Sequence, residues 1–209
     1  MNGIGRNLKE AKLKSIIADF EKIRIDHFYQ HLEKTQAKGR ILPFVRGLRL
    51  SALLIYEIRS VLVNSGLTAS WGHILNDDET LCTVECDIVI HRGDCVAQWN
   101  GSKNPIMDFS FIENESAIAV ISCKSFLETA KIEKEYPGSL EGYVDKVWLF
   151  AECCRPGAVD NIRERCNESG YGNFWYFYTW DKTKKIIGEP NIENWLNFLD
   201  EIKALIPPN

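Results

Sequence analysis

A chain of 209 residues can bury a substantial core, and with 45% hydrophobic, 26% charged and 11% aromatic residues it lies outside disordered, collagen-like and coiled-coil compositions. Its longest apolar stretches, 53–56 and 147–151, fall far short of the ~18 residues of a membrane span, and nothing near Met1 resembles a signal peptide. Seven cysteines without framework spacing fit reduced thiols, so the expected location is cytoplasmic, with no membrane partner. The net charge of −4 hides an asymmetry. Residues 1–50 carry 11 Lys and Arg against 5 Asp and Glu, whereas 51–209 carry 14 against 24. A basic first quarter on an acidic body suits a phosphate backbone held beside a carboxylate site, and equally a solvated helix face.

In chain order, apolar residues Ile16, Ile17, Phe20, Ile23, Phe28 and Leu32 recur at a helical period over residues 7–36, and Gly39 ends the pattern. A second helix is predicted over 47–62, with Leu50, Leu53, Leu54, Ile58 and Leu62 on one side and Gly66 as its stop. Residues 76–79 read as a turn, 81–90 as a strand, 91–94 as another turn, and 100–105 as a loop before a short strand over 107–112. After a turn at 113–115, residues 117–124 are apolar almost to their end, as expected of a central strand buried on both faces. Helical segments are expected over 126–135 and around Leu140, then a strand over 147–151, a helix over 159–166, a strand over 174–180 and a closing helix over 192–205. The prediction is α/β, a mixed β-sheet flanked by helices, with a helical basic arm (1–44) and a core (45–209) forming one compact domain.

Side chains alternate along a strand, so Thr83, Glu85 and Asp87 are expected on one face of the first strand, and Ser122 and Lys124 share a face at the end of the central one. If these strands are neighbours, Asp87 and Lys124 meet at one edge of the sheet. There they form either a strand-end salt bridge or a hydrolytic site, in which the carboxylate holds Mg²⁺ and the lysine orients water or offsets phosphate charge.

The runs Cys86-Asp87-Ile88-Val89-Ile90 and Ala119-Val120-Ile121-Ser122-Cys123-Lys124-Ser125 resemble the PD-(D/E)xK nuclease superfamily, over roughly residues 47–180 including the order of elements. The resemblance implies a restriction endonuclease-like core and makes Asp87 the metal-binding aspartate of the first strand. Ser122, Cys123 and Lys124 take the places of acid, variable residue and lysine. Two departures stand out: no proline precedes Asp87, and serine replaces the acid. The second acid must then come from the helix before the first strand, where Glu57 matches, or from the segment after the lysine, where Glu133 is nearest and Glu128 and Glu135 stand behind it. Glu57 is the favoured source, and its other reading is an ion pair with Arg49 or Arg59.

What the resemblance implies is a DNA endonuclease of restriction or defence type that depends on Mg²⁺ or Mn²⁺. Asp87, Lys124, Glu57 and Ser122 would be its catalytic set, Asp87, Glu57 and Cys123 would sit at the metal, and Glu85 would be in support. Lys12, Lys14, Lys22, Arg24, Arg40, Arg46 and Arg49 would contact DNA phosphates, and two copies would cut both strands of a duplex. The rival reading is an inactive nuclease fold kept as a nucleic-acid-binding or assembly module.

Other signals are weaker. Cys82, Cys86, His91 and Cys95 have a zinc-like spacing, but a strand separates them. His27 and His31 are spaced i, i+4 on a face that reads as solvated, and the aromatic strand from Trp175 to Trp180 reads as packing before base stacking.

Overall fold

Strands β1 (Leu67–Leu75), β2 (Cys86–Arg92), β3 (Ala97–Trp99), β4 (Phe109–Glu113), β5 (Ala117–Lys124), β6 (Val147–Cys154), β7 (Asn173–Asp181) and β8 (Ile186–Ile187) join in one mixed sheet, ordered β3-β4-β1-β2-β5-β6-β7-β8. The computed structural model describes residues 3–25, 41–77, 82–93, 95, 97–99, 109–132, 135–181, 183–184 and 186–208. β5, β6 and β7 run parallel, and β2 runs antiparallel to both β1 and β5. The start of β2 therefore lies at the same end of the sheet as the C-terminal ends of β5, β6 and β7.

Helices α1 (Gly3–Ile25), α2 (Ile41–Val61) and α5 (Ile192–Lys203) cover one face. Leu13 of α1, Leu50, Leu54 and Ile58 of α2, and Trp195 and Phe198 of α5 pack on Ile88, Ile90, Ile121, Phe150 and Phe177. The opposite face is covered by α4 (Val159–Glu168) and by the chain between β5 and β6, which includes the short helix α3 (Glu135–Gly138). Leu127, Ile132, Leu140, Ile162 and Cys166 meet Val89, Val120, Leu149 and Ala151 there. A sheet covered on both sides needs strands apolar on both faces, and β6 is buried at all eight positions. The basic first helix belongs to this core through Leu13, Ile16 and Ile17.

Several boundaries differ from those expected. α2 starts at Ile41, not 47, with Pro43 in its first turn, where a missing N–H costs little. β1 was not expected, because its LTASWGHIL sequence is rich in small and polar residues. Gly72 nevertheless has a steric duty, since a Cβ there would lie 1.8 Å from the Ser110 carbonyl oxygen of the parallel neighbour β4. β3 and β8, two short edge strands, were also missed.

β2 begins at Cys86, so Thr83 and Glu85 precede it and do not share a strand face with Asp87. His91 lies inside β2 and not in a turn, buried, with Nε2 3.0 Å from the Ser70 hydroxyl. The helix expected over 126–135 is replaced by an isolated bridge at Leu127, a 3₁₀ turn (Thr129–Lys131) and α3. Residues 26–40, part of the first predicted helix, and with them His27, His31 and Arg40, lie outside the described residues.

Candidate active site

A bulge aims the acid. Between the pairs Ser70↔Val89 and Gly72↔Cys86, β1 advances two residues and β2 three, so the extra residue falls at Asp87–Ile88. Bulges break the strict alternation of side chains and re-aim them locally. Asp87 Oδ2 accepts a hydrogen bond from the Cys123 backbone N–H at 2.7 Å, and the Ser122 hydroxyl lies 3.5 Å from the same oxygen. Burial raises the Asp87 pKa above the usual carboxylate range, while the Cys123 amide, the Lys124 ammonium and the Ser122 hydroxyl pull it back and Glu85 adds to the rise. Asp87, Ser122 and Lys124, separated by 35 residues or more of sequence from first to last, thus converge at the carboxyl edge of the parallel strands, where ligands bind in open α/β sheets.

Cys123 contributes its backbone. Its thiol is buried among the α2-side residues, near Ser51, and burial first, then the Asp87 charge, hold its pKa well above the ordinary thiol value. A thiol kept neutral is a poor ligand for a hard cation. Glu85 is exposed and accepts from Trp71 Nε1 at 2.9 Å.

The structure sets Glu57 apart from this cluster. Ser51 of α2 lies at Cys123, whereas Arg59 Nε donates to the Ala69 carbonyl at 2.7 Å. Ala69 pairs with Ile90, which pairs with Ala119. α2 therefore runs antiparallel to β5, and the six residues from Ser51 to Glu57 carry Glu57 about 9 Å back toward the far end of the strand. There it is buried, with Oε1 2.7 Å from Lys12 Nζ of α1. Lys12 is thus a partner that the sequence did not suggest for Glu57.

Glu128 is 3.8 Å from Lys131, Glu135 is exposed at the start of α3, and Glu133 lies outside the described residues. Among the described residues no group of three His, Cys, Asp or Glu side chains gathers as a metal cluster.

Of the basic residues, Lys12 is committed to Glu57 and lies 5.5 Å from the Tyr56 ring centre, and Lys14 pairs with Glu10 at 2.9 Å. Lys22 and Arg24 lie on α1, Arg46 and Arg49 on α2. In the zinc-spaced set, Cys82 is exposed, the Cys86 thiol donates to the Val84 carbonyl at 3.4 Å, and His91 is held by Ser70. Trp175, Phe177 and Tyr178 are buried, so these three aromatics of β7 serve packing.

Two residues escaped sequence reasoning. Glu152 is 1% exposed near the end of β6 and accepts from the Tyr178 hydroxyl. Its signal was an acid inside the apolar run VWLFAECC. Tyr136, on α3, sits beside Cys86 and close enough to feel the charge of Asp87, and its pKa is raised chiefly by burial. An aromatic between Glu135 and Pro137 was its only mark.

No protein-family model matches the sequence, and no curated protein does. Two solved structures match over 95% of this chain and 90% of their own. They are NucC of P. aeruginosa ATCC27853 in its cAAA-bound form, with TM-score 0.59 at 10% identity, and NucC of E. coli MS115-1 in its cAAA-bound form, with TM-score 0.60 at 9% identity. At such identities the likeness concerns architecture. The fold shared with these two structures is a mixed α/β sheet flanked by helices.

Proposed function

We propose that the protein is a divalent-metal-dependent DNA endonuclease of restriction or defence type. The observation that carries this reading is the Asp87 carboxylate, fixed by the Cys123 amide at 2.7 Å with Lys124 beside it at the carboxyl edge of the sheet. The donors fit a hard cation. Asp87 offers carboxylate oxygen, both of its described hydrogen bonds fall on Oδ2, and the Ser122 hydroxyl adds an oxygen atom without a thiolate or imidazole. Such an ion, Mg²⁺ or Mn²⁺, would supply Lewis acidity and an activated water. Lys124 offsets phosphate charge, and Ser122 keeps the Asp87 carboxylate in place.

The second acid is the open element. The ion pair of Glu57 with Lys12 argues against Glu57, and Tyr136, beside Cys86 and close enough to feel the charge of Asp87, belongs to the segment after Lys124. Glu133 belongs to that segment. DNA would lie across Lys22, Arg24, Arg46 and Arg49, and two copies would serve the two strands of a duplex.

One observation favours a second reading, an inactive fold retained for nucleic-acid binding or assembly: Ser122 stands where the superfamily pattern has an acid, and no three-acid cluster gathers among the described residues. Plasmid nicking with Mg²⁺, Mn²⁺ or EDTA decides between them. The nuclease reading expects metal-dependent cleavage that Lys124→Ala abolishes while the circular-dichroism spectrum is unchanged. Equal cleavage by wild type and Lys124→Ala in matched preparations refutes it.

A further inference from the structure

The chain that returns over the site carries an unused donor. Tyr136 Oη is shielded from solvent and has no hydrogen-bond partner of normal geometry among the described residues. Among the described residues the Cys86 thiol, a weak acceptor, lies near it, and that thiol already donates to the Val84 carbonyl. Burial is the largest cause that pushes the phenol pKa up, so the group keeps its proton and remains a donor. A buried hydroxyl without an acceptor is costly, and a tyrosine used only for packing could be phenylalanine. The adjoining Pro137 is buried, and the Tyr136 ring packs against the cluster that holds Ile132 and Cys86.

We infer that Tyr136 is a positioning residue whose hydroxyl donates to an oxygen atom brought to the Asp87 site, either a water or a phosphodiester oxygen. This inference rests on the nuclease reading. It assigns the orphan donor to an acceptor that arrives only with the metal and substrate, the role that outer hydrogen bonds commonly play around metal sites.

The test compares wild type with Tyr136→Phe, which keeps the ring and removes the hydroxyl. Three quantities are read: the melting temperature of metal-free protein, the Mn²⁺ dissociation constant by electron paramagnetic resonance, and kcat and KM for a labelled duplex. The expected result is a metal-free melting temperature equal to or above that of wild type, with Mn²⁺ affinity or kcat lowered about tenfold. A variant that melts several degrees lower while binding Mn²⁺ and cleaving as wild type does makes the hydroxyl structural and overturns the inference. Unchanged values throughout also overturn it. If wild type itself neither binds Mn²⁺ nor cuts DNA, the nuclease reading falls and this inference falls with it, a pattern distinct from either of the others.

Discussion

Glu57 offers the sharpest separation of structure from chemistry. Its carboxylate is 4% exposed and is matched by Lys12, whose side chain remains 46% exposed, at 2.7 Å. Removing one partner of a fully buried pair costs about 3–5 kcal/mol, because the other charge is left without compensation. Here water reaches Lys12 and screens part of that interaction, which brings the expected cost of Lys12→Met to about 2 kcal/mol. For a protein of this length that is a fall in melting temperature of about 4–8 °C. Glu57→Gln removes the buried charge with its partner's attraction and should cost less. The double variant should be more stable than the two single effects added together, since the residues are in contact. Melting and urea curves of all four proteins give the coupling. The same Glu57→Gln protein should retain metal-dependent cleavage within a few-fold of wild type, whereas Glu133→Gln should lose it. Loss of Mn²⁺ binding in Glu57→Gln, with stability unchanged, would falsify the structural assignment and restore Glu57 as a metal ligand.

Asp87→Asn should raise the stability of metal-free protein at neutral pH. The folded-state pKa of Asp87 lies above its unfolded value, so its contribution to stability is fully present below the unfolded pKa and is lost as pH rises through the folded one. The gain should vanish in acid, and melting curves across pH check the sign. Mn²⁺ binding should run the other way, weakening as pH falls, because a proton competes with the cation for the carboxylate. Gly72→Ala should destabilise by about 3 kcal/mol or more, since its Cβ would meet the Ser110 carbonyl, and an unchanged urea midpoint would contradict the close approach of β1 and β4. Charge reversal of Lys22 and Arg24 should weaken DNA binding across sequences and flatten its salt dependence. Unaltered salt slopes in a fluorescence-anisotropy titration would remove α1 from the DNA surface.

The strands that the sequence revealed are those buried on both faces. The run AIAVISCK and the closing segments around Trp175 and Trp195 announce themselves because central burial leaves few polar residues to confuse the period. β1 was hidden for the opposite reason. Its Ser70, Gly72 and His73 are explained only by partners far along the chain, namely His91, the Ser110 backbone and the Thr83 carbonyl. The meeting of Asp87 and Lys124 was legible from strand period and order, yet the face sharing assumed for Glu85 was not, since nothing in composition marks the start of β2 at Cys86. Glu57 was favoured because it is the acid on the helix before the first expected strand. What the helix pattern could not tell was that a lysine 45 positions earlier would reach it.

Serine at position 122 acquires a physical reason from this geometry. A carboxylate there would stand against Asp87, already pushed toward protonation by burial, and the metal-free fold would carry two repelling charges at one strand end. A hydroxyl donates to Asp87 where a second acid would repel it, so the strand pair β2–β5 closes stably before any cation arrives. On the nuclease reading the cost would fall on chemistry, because one carboxylate and neutral oxygen atoms would hold a divalent ion weakly. On the same reading, an acid on the chain between β5 and β6 would resolve the conflict, since that chain approaches the site through Tyr136 but lies outside the β2–β5 ladder. Restoring the acid by Ser122→Glu should therefore lower the metal-free melting temperature and tighten Mn²⁺ binding in the same protein. A variant that gains stability without metal would show that repulsion at Asp87 is not what the serine avoids.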